Sequence, residues 1–159
     1  MSGEGVRIDT AEVTALLNSL QRELGPEGMV AVLASIGQLV VTATDLGFRA
    51  EEDPWGRPWE PLSEYTLEQR RKGDGIVRIL RDTGNLANSI NYQVQQGRSV
   101  EIGTGVSYAS THQYGEGGIP RRAFLPLDPY GNADLPTSLR DDLLDLLQLH
   151  VDRAIGPRT

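Results

Sequence analysis

Ser107, Ser110 and His112 are the residues whose types and spacing come nearest to reactive chemistry in this chain. A hydroxyl nucleophile needs a base within hydrogen-bond reach and an acid to orient that base, so these residues with Asp82 or Asp128 would compose a small hydrolase. The surroundings do not supply the rest, because no G-x-S-x-G turn frames either serine. Metal chemistry has less to work with. His112 and His150 are the only histidines, neither has a second ligand at zinc spacing, and cysteine is absent. His150 falls near the C-terminal end of a helical pattern, where its charge would suit the helix dipole. Gly103-Thr104-Gly105 lacks the third glycine of a dinucleotide fingerprint and the Gly-Lys-Ser/Thr ending of a P-loop, and reads as a turn leaving a strand. The residues point away from catalysis, and to no metal and no cofactor.

Charge narrows the field further. Fifteen Lys and Arg against 22 Asp and Glu leave a net charge of -7, the reverse of the balance expected of a free-standing duplex-DNA binder. Arg70-Arg71-Lys72 is the only compact basic run, with Arg78 and Arg81 beyond it, and Lys72 is the only lysine. Against it stand Asp141, Asp142, Asp145 and Asp152 in one C-terminal segment. Such patches are solvated faces by default; they could also pair between subunits, or the basic run could touch DNA in a channel. Trp55 and Trp59 lie on a proline-bounded stretch outside any amphipathic pattern. They either fold back as a cap or anchor the stretch in a neighbour, a role that tryptophan fills at low entropy cost.

Residues 1–159 are read as one unit, with a helical part over 1–50, an extended arm over 51–75, a β-hairpin and sheet region over 76–134, and a C-terminal helix and tail over 135–159. The first helix is expected to start at Asp9 or Thr10 and to carry Val13, Leu16, Leu17 and Leu20, stopping at Gly25-Pro26. A second helix from Pro26 carries Met29, Val30, Leu33, Ile36, Leu39, Val40 and Ala43 and ends near Gly47. Its most apolar stretch, Met29 to Val41, is too short and interrupted to suggest a bilayer span, so no membrane partner is expected. In the arm, a helical turn is expected over about Ser63 to Arg71. Ile76 to Leu80 should form a short strand or turn, and Asp82 or Thr83 should cap a helix over Leu86 to Ser89. Alternation at Ile90, Tyr92 and Val94, then Val100 and Ile102, predicts a hairpin about Gln96-Gly97-Arg98. Ser107 to Tyr114 reads as a helix ending at Gly115, Ile119 to Leu127 as a strand, and Thr137 or Ser138 as the cap of the last helix, with Leu139, Leu143, Leu146, Leu147 and Ala154 on one face, ending at Gly156-Pro157. The pattern shows no internal repeat. The fold class is α+β: a small antiparallel sheet with N-terminal helices, a C-terminal helix and a long arm.

One ordered set of short motifs spans roughly residues 55 to 126. It comprises Trp59-Glu60-Pro61-Leu62-Ser63, then Ile79-Leu80-Arg81-Asp82-Thr83-Gly84-Asn85-Leu86 with Ser89-Ile90, then Val100-Glu101-Ile102-Gly103-Thr104, Tyr108-Ala109, His112-Gln113-Tyr114-Gly115 and Ile119-Pro120-Arg121-Arg122-Ala123-Phe124-Leu125. Together these resemble the phage virion morphogenesis, or tail-completion, family. The resemblance implies a non-enzymatic virion component, assembled in the host cytoplasm, that completes the tail or joins tail to head at the neck. It implies a ring of copies, six by analogy with the sixfold tail, whose partners are itself, tail tube or terminator proteins and neck or connector proteins, with DNA in the channel a further contact. The interface candidates are Trp55, Trp59, Arg70, Arg71, Lys72, Arg121, Arg122 and Phe124. The motif residues carried over are Arg81, Asp82, Thr83, Gly84, Leu86, Gly103, Tyr108, Ala109, His112, Gln113, Gly115 and Pro120.

Overall fold

The apolar positions of the first fifty residues form one helical element, α1 (Ala11–Ala50), broken where Gly25 leaves helical geometry at φ 66, ψ 180. Pro26 restarts it, since a proline needs no amide partner in a first turn, so Gly25-Pro26 separates two helical segments as the sequence predicts. The computed structural model describes residues 11–72, 77–81 and 83–156; Asp9, Thr10, Ile76, Asp82 and Pro157 therefore lie outside the described residues. The second segment runs past Gly47 to Ala50. It closes by a Schellman arrangement, with Glu52 N donating to Gly47 O and Glu51 N to Phe48 O. The left-handed position falls on Glu51, φ 56, not on a glycine. Its carboxylate Oε1 accepts from Ile79 N at 3.1 Å, which ties the helix end to the next crossing of the chain.

Further along come α2 (Glu64–Arg71), α3 (Asn85–Ser89), β1 (Asn91–Gln95), β2 (Ser99–Gly103), α4 (Ala109–Tyr114) and α5 (Thr137–Ile155). The two strands pair antiparallel with Tyr92 opposite Ile102 and Val94 opposite Val100, so the expected α+β class holds. Gln96 and Gly97 take positive φ at the turn. Gly97 also lets the hairpin tip touch the helix break: a Cβ there would lie 1.9 Å from Pro26 O. Gly37 does the same further along α1, where a Cβ would fall 2.4 Å from the Tyr92 ring.

Two apolar clusters follow from this layout. In one, Val13, Leu20, Met29, Val32 and Leu33 of α1 meet Leu147 of α5, with Val94 and Val100 of the hairpin packed alongside. In the other, Phe48 at the end of α1 gathers Trp59, Leu80, Leu86, Ala87, Ile90, Ala109 and Phe124. By length and composition alone α1 could cross a bilayer, a longer apolar span than Met29 to Val41 suggests. Its buried stripe is used instead for these two clusters.

Several expectations are corrected. Residues 51–59, the first part of the expected arm, are docked on the core, while α2 beyond them buries no residue. Glu52 bridges to Pro58, Trp59 N donates to Glu51 O, and Trp59 is buried. Ile119 to Leu127 forms no strand of a sheet: it runs without regular structure to Phe124, bends at Leu125 and Pro126, and turns back with Leu127 N donating to Leu125 O; many of its polar backbone groups are met by side chains. Gly84, in the left-handed region at φ 79, occupies the N-cap position of α3, while Thr83 Oγ1 accepts from Asn85 N at 3.3 Å. Pro136 takes the N-cap position of α5, so neither Thr137 nor Ser138 caps it. Ser63 does cap α2, accepting from Thr66 N. The pattern also hid a repeat: the five-residue loops at 53–57 and 128–132 share one hydrogen-bond scheme.

Candidate interaction surface

Several of the motif residues converge on the segment 121–125. Gln113, at the last turn of α4, is 2% exposed. Its side-chain Oε1 accepts from Phe124 N at 3.1 Å and Leu125 N at 3.0 Å, and its Nε2 donates to Leu125 O at 3.0 Å. One buried amide thus takes the place of a neighbouring strand, satisfying backbone groups that would otherwise lose their water without compensation. Arg122 N donates to His112 O at 2.8 Å. Trp59 Nε1 donates to Ala123 O at 2.8 Å, and the Trp59 and Phe124 rings both pack on Phe48 with centroids 5.4 Å away. Gly115 is required where α4 turns into this segment, because φ is 73 and a Cβ would meet Arg121 N at 2.6 Å.

The two arginines at 121 and 122 split their work. Arg122 is buried, and its guanidinium donates from Nε to Glu60 O at 2.8 Å and from Nη2 to Pro61 O at 2.9 Å. Burial holds its pKa below the ordinary arginine value, with Arg70 adding to that and Glu60 opposing it. Arg121 donates from Nε to Gln113 O and from Nη2 to Leu127 O, and its guanidinium carbon sits 5.8 Å from the Trp55 ring centroid. Trp59, Arg122 and Phe124, taken from the sequence as interface candidates, are therefore interior groups: each fills the second core or clamps its wall. Trp55 is half-buried under Arg57 and Arg121. Arg70 donates to Arg78 O at 2.7 Å, which leaves Arg71 and Lys72 as the exposed end of α2.

A cavity of about 250 Å³ opens beside this hub, walled by Leu62, Leu80, Gly84, Tyr108, His112 and Arg122. His112 stands edge-on to Tyr108, ring centroids 6.0 Å apart. Its pKa is lowered, first by burial and then by the Arg122 and Arg70 charges, which favours the neutral ring. Nδ1 is buried without a hydrogen-bond partner among the described residues, so Asp128 is not seated on that nitrogen as a serine–histidine relay would require; Asp82 lies outside the described residues. Gly103 closes β2, and Thr104 Oγ1 hydrogen-bonds Ser89 Oγ and accepts from Val106 N, which makes this glycine-rich stretch a strand exit as expected. Arg81 is half-buried, and Leu86 and Ala109 lie in the core. Ile119-Pro120 enters the clamped segment without forming a strand.

The acidic counterpart lies elsewhere. Asp141, Asp142, Asp145 and Asp152 are exposed on α5. Arg140 bridges to Glu12 at 3.6 Å and so ties α5 to the first turn of α1. Sequence reasoning passed over Tyr130, which is 89% exposed at the tip of the loop built on Asp128. Hydrogen bonding holds the Asp128 carboxyl below its ordinary pKa, chiefly the Asn132 amide and then the Asn132 side chain, Tyr130 and Gly131. The visible signal was the shared Asp-Pro-aromatic-Gly run at 53–56 and 128–131.

No solved structure matches the chain. A relative in Haemophilus influenzae, Mu-like prophage FluMu G protein 1, is 30% identical over 103 residues, covering 64% of this chain and 70% of the relative. Residues 8–142 match the phage virion morphogenesis family, a span that takes in α1, the clamped motif hub and the first turns of α5, and the chain belongs to that family.

Proposed function

We propose that the protein is a non-enzymatic structural subunit that completes the phage tail or joins it to the head at the neck, acting as a ring of copies. The observation that carries this reading is the fate of the family motifs. Gln113, Arg122, Trp59 and Gly115 are used to clamp the segment 121–125 onto the core, not to line up a nucleophile, base and acid. A rigid hub with separate basic and acidic faces suits a subunit whose work is positioning and charge pairing between neighbours. Tail tube or terminator proteins and neck or connector proteins are the partners this reading names, and six is the copy number it favours.

Contact with DNA is the weaker reading, because Arg122 is interior and Arg121 is committed to backbone carbonyls. That leaves Arg71 and Lys72 on a chain of net charge -7. Sedimentation of the purified protein, alone and with tail proteins, tests the ring. Concentration-dependent assembly to a discrete multiple of the 17.4 kDa chain supports it; a monomer under every condition, tail proteins included, refutes it.

A further inference from the structure

Two loops in this chain are built to one plan. Asp53-Pro54-Trp55-Gly56-Arg57 and Asp128-Pro129-Tyr130-Gly131-Asn132 share an aspartate, a proline, an aromatic residue and a glycine in register. Asp53 Oδ1 accepts from Trp55 N and Arg57 N, both at 2.9 Å; Asp128 Oδ1 accepts from Tyr130 N at 2.8 Å and Asn132 N at 2.9 Å. The second carboxylate oxygen takes the fifth side chain, Arg57 Nε at 2.9 Å in one loop and Asn132 Nδ2 at 3.2 Å in the other. Each loop is closed at its base by an antiparallel bridge, Glu52 to Pro58 and Leu127 to Ala133. An aromatic ring is thereby held at a fixed tip in both, so little backbone freedom remains to be lost when a partner binds.

The loops differ in what lies over the ring. Trp55 is half-buried, with the Arg57 and Arg121 guanidinium carbons 5.4 Å and 5.8 Å from its centroid. Tyr130 is 89% exposed, and the fifth position that supplies a cation in the first loop is Asn132 in the second. The chain on either side of it is acidic: Asp128 and Asp134 flank it in sequence, and Asp141, Asp142 and Asp145 follow, exposed, on α5. A cation is what both the ring face and its surroundings would attract.

We propose that Tyr130 is an anchor between copies of this chain, covered in the assembly by the basic end of a neighbouring copy's α2. This rests on the reading of the protein as a multi-copy subunit. Arg70-Arg71-Lys72 is the only compact basic run in the sequence, and Arg71 and Lys72 are its exposed members. The two halves of the contact sit on different elements, which allows it to repeat head-to-tail, the kind of contact that generates a ring when the rotation closes.

Sedimentation and mass measurements on the full chain test this with Tyr130→Ala, Tyr130→Trp and Arg71→Ala. Alanine at 130 should raise the subunit dissociation constant by at least about tenfold and leave the melting temperature of the dilute, dissociated chain unchanged, while tryptophan should restore assembly. The Tyr130→Ala and Arg71→Ala effects should be far from additive in the double variant. Because the chain has no cysteine, Tyr130→Cys mixed with Arg71→Cys should give a disulfide-linked dimer under mild oxidation. Wild-type affinity in Tyr130→Ala, or fully additive effects, would overturn the inference and leave the ring intact. A wild-type chain that never assembles would overturn both.

Discussion

Replacing Gln113 by leucine separates hydrogen bonding from packing as the force that holds the hub. The two side chains are close in volume, so the core around Phe48 and Phe124 should stay filled. What is lost is a set of three hydrogen bonds, to Phe124 N, Leu125 N and Leu125 O. Phe124 is 3% exposed, so its amide would be left without water or protein partner. Leu125 is half-buried, so its amide would be partly rehydrated, and its carbonyl keeps the hydrogen bond from Leu127 N at 2.8 Å. At about 1–3 kcal/mol for each buried group left unmade, the two amides sum to about 2–4 kcal/mol, a large fraction of the ~5–15 kcal/mol that a domain usually has. For a chain of this size that lowers the melting temperature by roughly 5–15 °C. Urea unfolding followed by tryptophan fluorescence is the suitable assay, because Trp59 sits in the same core. A loss below about 1 kcal/mol at unchanged m-value would refute the argument: it would mean that apolar contacts alone hold residues 121–125 in place.

Other substitutions probe the remaining contacts. Trp59→Phe should cost about 1–2 kcal/mol by unpairing the Ala123 carbonyl, and a neutral result in chemical denaturation would remove that hydrogen bond from the account. Gly97→Ala should cost about 2–4 kcal/mol, because φ is 69 and the Pro26 carbonyl occupies the space. Gly105→Ala, with nothing within 4 Å, is its control, and equal melting temperatures for the two would contradict the close approach of hairpin tip and helix break. For His112 the folded-state pKa lies below 6.5 while the unfolded chain keeps the ordinary value. The unfolded state therefore binds more protons as pH falls, and stability is lost from about pH 6.5 down to the folded-state value. An imidazole NMR titration with its midpoint at or above 6.5 would show that the ring is not held neutral.

Much of this was legible because local chemistry and final structure agree. Gly25-Pro26 broke the helix, α2 formed within the span from Ser63 to Arg71, Gly115 ended α4, and the hairpin took its turn at Gln96-Gly97-Arg98. The errors arose where a distant group replaced a local one. Ile119 to Leu127 has the extended character of a strand, but strand patterns assume a strand partner, and here the partners are the amide of Gln113 and the indole of Trp59. Trp55 and Trp59 looked equivalent because they are four residues apart on one proline-bounded run. Only the fold shows that one enters the core and the other lies under two guanidiniums. Arg121 and Arg122 were likewise indistinguishable until their acceptors were visible. The twin loops escaped notice because four matching positions separated by 75 residues carry no periodic signal, although the aspartate, aromatic and glycine positions each have a definite hydrogen-bonding task.

The central claim is that this chain acts by being built into the virion. Quantitative mass spectrometry of purified virions and tail intermediates, with electron microscopy of the same preparations, tests that most directly. The account predicts a fixed, low multiple of copies per particle, located at the neck or tail end. Absence of the chain from both mature virions and tail intermediates would contradict it.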